Sequence, residues 1–193
     1  MKKGISKGWI FLGVVLAVLF VGGGSLIGSY NQLVNMDEDV KSAYAQIDTI
    51  MQRRADLIPN AAKTAGAIAT HEKDTFTQLA EARSGVSNAS SPSELAEANE
   101  ELNKAVTQLN VVVENYPELK ANQNFIMLQD QLEGSENRVS TERKNYNDTV
   151  SLYNRKIKSF PTSILAGMFN FDEAEYFEAD ESAREAPELD FGI

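Results

Sequence analysis

The chain has 193 residues, no cysteine and a formal net charge of −10. That leaves room for one domain of ordinary size and excludes a disulfide frame, thiol chemistry and a cysteine-held metal. It also argues against nucleic acid as a partner, which calls for a basic patch.

Residues 8–28 carry no charge, and Lys2, Lys3 and Lys7 precede them. About 20 apolar residues at 1.5 Å rise cover roughly 30 Å of hydrocarbon, so residues 1–29 predict a single-pass membrane anchor. Its apolar surface is Trp9, Phe11, Leu12, Val14, Leu16, Leu19, Phe20, Leu26 and Ile27. Trp9 and Tyr30 suit the two interfacial belts. The lysines put the short N-terminus in the cytoplasm and the body outside the cell membrane, with a cytoplasmic body as the alternative. A cleaved signal peptide is a rival reading, with Trp9–Val21 as its apolar core and Gly23 and Ser25 near a cleavage site. Leu26 and Ile27 prolong the apolar run and favour retention. Gly24 and Gly28 match the small-xxx-small spacing of close helix pairs, a candidate dimer face and so a route to a homo-oligomer. Glycines that merely collect near a helix end give the same pattern.

Residues 30–160 are poor in proline and glycine and rich in good helix formers. Val40, Tyr44, Ile47 and Met51, then Ile58, Ala62, Ala65 and Ala69, then Phe76 and Leu79 step by threes and fours, one buried seam in which Arg54 and Glu72 take the places of the two missing apolar residues. The spacing predicts a helix over 31–83 that Pro59 kinks or splits. Turn residues over Ser84–Ser93 predict a break, with Ser90 or Ser93 capping the next helix. That helix carries Leu95, Ala98, Leu102, Ala105, Leu109, Val112 and Val113. Tyr116-Pro117 interrupts it. A last helix over 118–159 carries Phe125, Leu128, Leu132, Val139, Tyr146, Val150, Tyr153 and Ile157 and stops at Phe160-Pro161. One-faced helices must bury their stripes on each other, so the fold class is all-α. An anchor precedes an elongated antiparallel up-down bundle of three to four long helices.

Residues 161–193 form an aromatic, then acidic tail, with nine acids against the single base Arg184. Its apolar start should fold back onto the bundle or lie at its end, and the stretch from Asp172 should be irregular or partly ordered.

Several motifs resemble the LemA family. They are Asn31-Gln-Leu33-Val34, Val40 to Asp48, and Arg53-Arg54-Ala-Asp56-Leu57-Ile58-Pro59-Asn60. Glu114 to Asn122, Glu136-Asn137-Arg138-Val139, Arg143 to Asn147 and Tyr176-Phe177-Glu178 add to the likeness. It covers residues 30–178. The resemblance implies one N-terminal membrane helix, an antiparallel helical bundle and a molecular function not established for the family. It implies an outside N-terminus, against the lysine count. Some members take part in building magnetosome membranes, and some are encoded near membrane-bound stress proteases. Tyr44 stands where tryptophan is common, and Ala61-Ala62 where bulkier residues are usual. Both should thin the core.

Reactive constellations are weak. His71 is the only histidine, and His71-Glu72 lacks a second histidine one turn on, so it reads as a polar residue near a helix end. Serines 84, 90 and 91 have no positioned base. The chain is therefore read as no enzyme and as having no cofactor. Charges that interrupt the seams attract more interest. Arg53 or Arg54 is expected to pair with Glu136, Glu142 or Asp56 between helices and fix register. Solvated charges flanking the stripe are the plain alternative. The expected function is a membrane-anchored scaffold or adaptor of the cell envelope. Its partners would be the lipid bilayer and a protein the sequence does not identify. The alternative is an accessory sensor of a membrane protease or stress pathway that binds a peptide or ligand on the bundle.

Overall fold

A computed structural model describes residues 7–66 and 68–177; at the start of the first helix the side chains of residues 7, 9–11, 14, 15 and 17–23 lie outside that description. Eight helices and no strand occur among the described residues. They are α1 (Lys7–Ala55), α2 (Ile58–Ala65), α3 (Ile68–His71), α4 (Lys73–Asn88), α5 (Pro92–Val113), α6 (Pro117–Lys120), α7 (Gln123–Lys158) and α8 (Thr162–Phe169). The chain is all-α. Of the expected anchor surface, Trp9, Phe11, Val14, Leu19 and Phe20 lie outside the described side chains. Leu12, Leu16, Leu26 and Ile27 are exposed on α1. Gly24 and Gly28 are also exposed, with open space where a Cβ would stand. Among the described residues no helix is long and apolar enough to cross a membrane.

The described residues fall into two compact units. One holds α1 up to Lys41 with Thr149–Ala174; the other holds Ser42–Asp148 with Glu175–Phe177. In the second unit the register is antiparallel. Tyr44 meets Tyr146 and Arg54 meets Glu136, so climbing α1 descends α7. Asn103 bonds Glu136 and Asn110 bonds Gln129, the same relation between α5 and α7. The core holds Ile47, Met51, Leu79, Leu95, Leu102, Leu109, Leu132 and Val139, each nearly or fully shut from water.

Three expectations need correction. The long first helix is broken more often than proline alone requires. α1 ends at Ala55, and Pro59 sits in the first turn of α2, where its missing N–H costs nothing. Gly66, at φ 56°, ends α2. It takes a left-handed backbone that only glycine adopts cheaply. Each break resets the helical phase, so Ala61 and Thr75 are buried where Ala62 and Phe76 were expected. Second, α4 runs on through Ser84–Asn88, and only Ala89–Ser91 leave the helix. Small residues there serve packing: a Cβ on Gly85 would lie 3.8 Å from that of Ala98 on α5. Third, the cap of α5 is Ser91. Its Oγ accepts from Glu94 N at 3.1 Å, while the Glu94 carboxylate accepts from Ser90 N at 2.8 Å. This resembles a capping box, with the return bond taken one residue before the N-cap. The hydrogen bond from Ser90 N is the largest cause holding the Glu94 carboxyl below its usual pKa.

The first unit packs Leu33, Val40, Val150, Tyr153, Ile157, Leu165 and Ala166. The chain turns after α7 through a cis Phe160–Pro161 peptide. Asn170, at φ 55°, ends α8, and the N–H of Phe171 bonds Ala166 O at 3.0 Å. This is a left-handed C-cap in which asparagine replaces glycine.

Candidate functional site

The least ordinary side chain in the second unit is Arg54, 2% exposed near the end of α1. A buried guanidinium is costly unless paired and hydrogen-bonded. Here two helices, α5 and α7, supply partners. Arg54 Nη1 donates to Asn99 Oδ1 at 2.9 Å and to Glu136 Oε2; Nη2 donates to Asn103 Oδ1 at 2.6 Å. Asn103 Nδ2 donates in turn to Glu136 Oε1 at 3.2 Å. Burial pulls the Arg54 pKa below its usual value, and the Glu136 carboxylate opposes that pull. Arg54 Nε has no partner. A cavity of about 350 Å³ opens beside the group, lined in part by Asn103, Thr107, Glu133, Glu136 and Asn137.

Arg53, Glu142 and Asp56 do not join this knot. Arg53 is exposed. Glu142 is half-buried and accepts from Asn145 Nδ2 at 3.0 Å. Asp56 is exposed and stands 3.9 Å from Arg83. Asn99 and Asn103 went unread in the sequence, although Asn99 lies within the stripe of Leu95 and Leu102. A polar residue inside an apolar seam was the available signal. His71 is exposed at the end of α3. Its neighbour Glu72 accepts from the Tyr116 hydroxyl at 2.6 Å, which raises the Tyr116 pKa. Among the described residues no group of His, Asp and Glu is arranged to hold a metal ion.

A second polar device works with neutral groups. Asn147 Nδ2 donates to Phe177 O at 2.9 Å, and Phe177 N donates to Asn147 Oδ1 at 2.9 Å. One side-chain amide thus satisfies both backbone groups of one extended residue. Tyr146 Oη donates to Glu175 O at 2.8 Å. The Phe177 ring, 3% exposed, stands edge-on to Tyr146 at 5.3 Å, with Arg143 over its face at 5.5 Å. Tyr44 is 6.4 Å away, so where a thinned core was expected there is an aromatic cluster. Burial, the main cause, pushes the Tyr146 pKa up to about 12, with the Glu175 charge adding. In the first unit Asn154 does to Ala174 what Asn147 does to Phe177, through two bonds of 2.8 Å. The stretch expected to be irregular from Asp172 has neither helix nor strand through Phe177, yet its backbone is held by asparagine amides.

A model of the LemA family matches residues 43–191, a span that takes in both polar devices. The chain belongs to the LemA family. Among its relatives, magnetosome protein MamQ 2 of Paramagnetospirillum magneticum is 26% identical over 92% of this chain and 74% of its own length. MamQ of Magnetospirillum gryphiswaldense is 24% identical with the same coverage. Protein LemA of Metamycoplasma hominis is 25% identical over 82% of this chain and 73% of its own. The family thus reaches chains named for a magnetosome and chains named only for the family. None of these names states a reaction.

Proposed function

We propose that this LemA-family chain is a non-enzymatic, membrane-anchored helical scaffold or adaptor of the cell envelope. The observation that carries the reading is α1. Its backbone stays helical from Lys7 to Ala55, from the uncharged run at 8–28 to the buried Arg54. One element then belongs both to the proposed anchor and to a packed body, which suits presentation of a surface. The buried polar groups favour the same reading. Asn99, Asn103 and Glu136 are spent on Arg54, and Asn154 is spent on backbone. Relatives named for a magnetosome rather than for a reaction support a role in an assembly.

In this reading the anchor is retained, the three lysines keep the N-terminus in the cytoplasm, and the body lies outside. Crosslinking in native membranes followed by mass spectrometry tests the function. A constant protein partner, unchanged by small molecules, is expected; crosslinks that change at random between preparations would count against an adaptor. Protease added to intact cells tests the sidedness, and a fully shielded body would reverse it.

The cavity beside Arg54 favours one second reading. An accessory sensor would place a polar ligand there, against Asn103, Thr107 and Glu136. It predicts a ligand-dependent rise in melting temperature that disappears in Asn103→Ala. A melting temperature indifferent to every ligand class tried would remove it.

A further inference from the structure

Helix α8, Thr162–Phe169, contains no charged residue. One face, with Thr162, Leu165 and Ala166, is buried. The other is also apolar and is open: Ile164 is 57% exposed, Met168 69% and Phe169 53%, with Phe160 at 82% just before the helix. Ile164 and Met168 are one turn apart on one side. A helix that is apolar all round requires cover on all sides, from a protein core or from lipid. Within its unit α8 has cover on one side only.

The location of α8 says what covers the other side. Its end meets α1 at Tyr30, whose ring lies 4.8 Å from Phe169 and 5.9 Å from Phe171. Tyr30 stands two positions beyond Gly28, the end of the charge-free run. The next charged residue on α1 is Asp37, roughly 10 Å further along at 1.5 Å per residue. Unit one therefore carries a zone about as deep as a headgroup layer in which α1 holds no charge. Leu26 and Ile27, both exposed, border it. Beyond α8 the chain turns acidic at once: Asp172 and Glu173 are exposed, and Glu173 pairs with Lys158 at 2.6 Å.

We infer that α8 lies in the membrane interface, with Phe160, Ile164 and Met168 inserted at the boundary of headgroups and acyl chains and Asp172 marking the return to water. The inference rests on the anchored reading above and adds a second lipid contact to it. Because α8 brings no cation, the insertion is hydrophobic, works on zwitterionic lipid and is insensitive to salt. It makes the first unit a collar that fixes how α1 leaves the bilayer, where a single helix alone would swivel.

The absence of native cysteine makes the test clean. Ile164→Cys and Met168→Cys are each spin-labelled in the full chain and reconstituted into phosphatidylcholine vesicles, with Val111→Cys on α5 as an exposed control. Flotation with the vesicles is scored first. Labels at 164 and 168 are then expected to collide several-fold more with oxygen than with a water-soluble nickel complex, the reverse of the label at 111, in low and high salt alike. Vesicle-bound chains with nickel-accessible labels at 164 and 168 would overturn the interfacial helix and leave the anchor standing. Chains that do not float would overturn both.

Discussion

The polar knot at Arg54 and the amide clamp at Phe177 solve one problem at very different risk. Both satisfy groups hidden from water, within the same unit. At Arg54 the hidden group is a full charge, and its satisfaction depends on side chains from α5 and α7 being in register with α1. At Phe177 the hidden groups are neutral backbone, and one asparagine completes them. A charge left without its partner has nowhere to go, whereas an amide left without its partner can turn to water. The first device is therefore expected to specify which helices pair and where. The second holds a segment that is able to leave.

Breaking the knot should show the largest effect. Glu136→Ala strips the countercharge from a guanidinium that is 2% exposed, and a cost of about 3 kcal/mol is expected in urea denaturation. Arg54→Met should cost less, because Glu136 keeps a third of its side-chain surface in water and the methionine fills the space. If Arg54→Met melts higher than the native chain and remains a single helical state, the knot has no role in register. At the clamp, Phe177→Ala loses the burial of one aromatic ring, about 2 kcal/mol. The loss should appear as proteolysis after residue 170 with the helices intact; global unfolding instead would show that the segment belongs to the core. Asn147→Ala removes two hydrogen bonds whose partners can reach solvent, and about 1 kcal/mol is expected by the same denaturation.

The smallest effect is one of pH. The Tyr146 hydroxyl, pushed up to about 12 chiefly by burial, is neutral in the fold where a free tyrosine near 10 has begun to ionise. Its contribution is complete below pH 10 and is lost as the pH rises through the folded value. Tyrosinate absorbance should therefore show a late-titrating fraction that includes Tyr146, and Phe177→Ala should shrink that fraction. A titration unchanged by that substitution would separate Tyr146 from the clamp.

What the sequence makes legible follows from phase. α7 is unbroken, so every residue expected in its stripe, from Phe125 to Ile157, is buried. The region from Ala55 to Lys73 breaks repeatedly, and each break shifts the seam, which is why Ala61 and Thr75 replace Ala62 and Phe76. Composition misleads at Ser84–Asn88, where small residues mark close helix contact and only Ala89–Ser91 form the turn. Arg54 is conspicuous as a charge in a seam; Asn99 is marked only by its place between Leu95 and Leu102, and Asn103 by nothing, because asparagine is ordinary on helix surfaces. The asparagine clamps were legible only as an excess of asparagine. Their partners are backbone groups, which carry no residue code.

The account as a whole depends on α1 being held in lipid at its start, and extraction of native membranes with alkaline carbonate tests that most directly. The native chain is predicted to stay with the membrane pellet, and a variant carrying Leu16→Asp and Leu19→Asp to leave it. Release of the native chain into the supernatant would contradict the account.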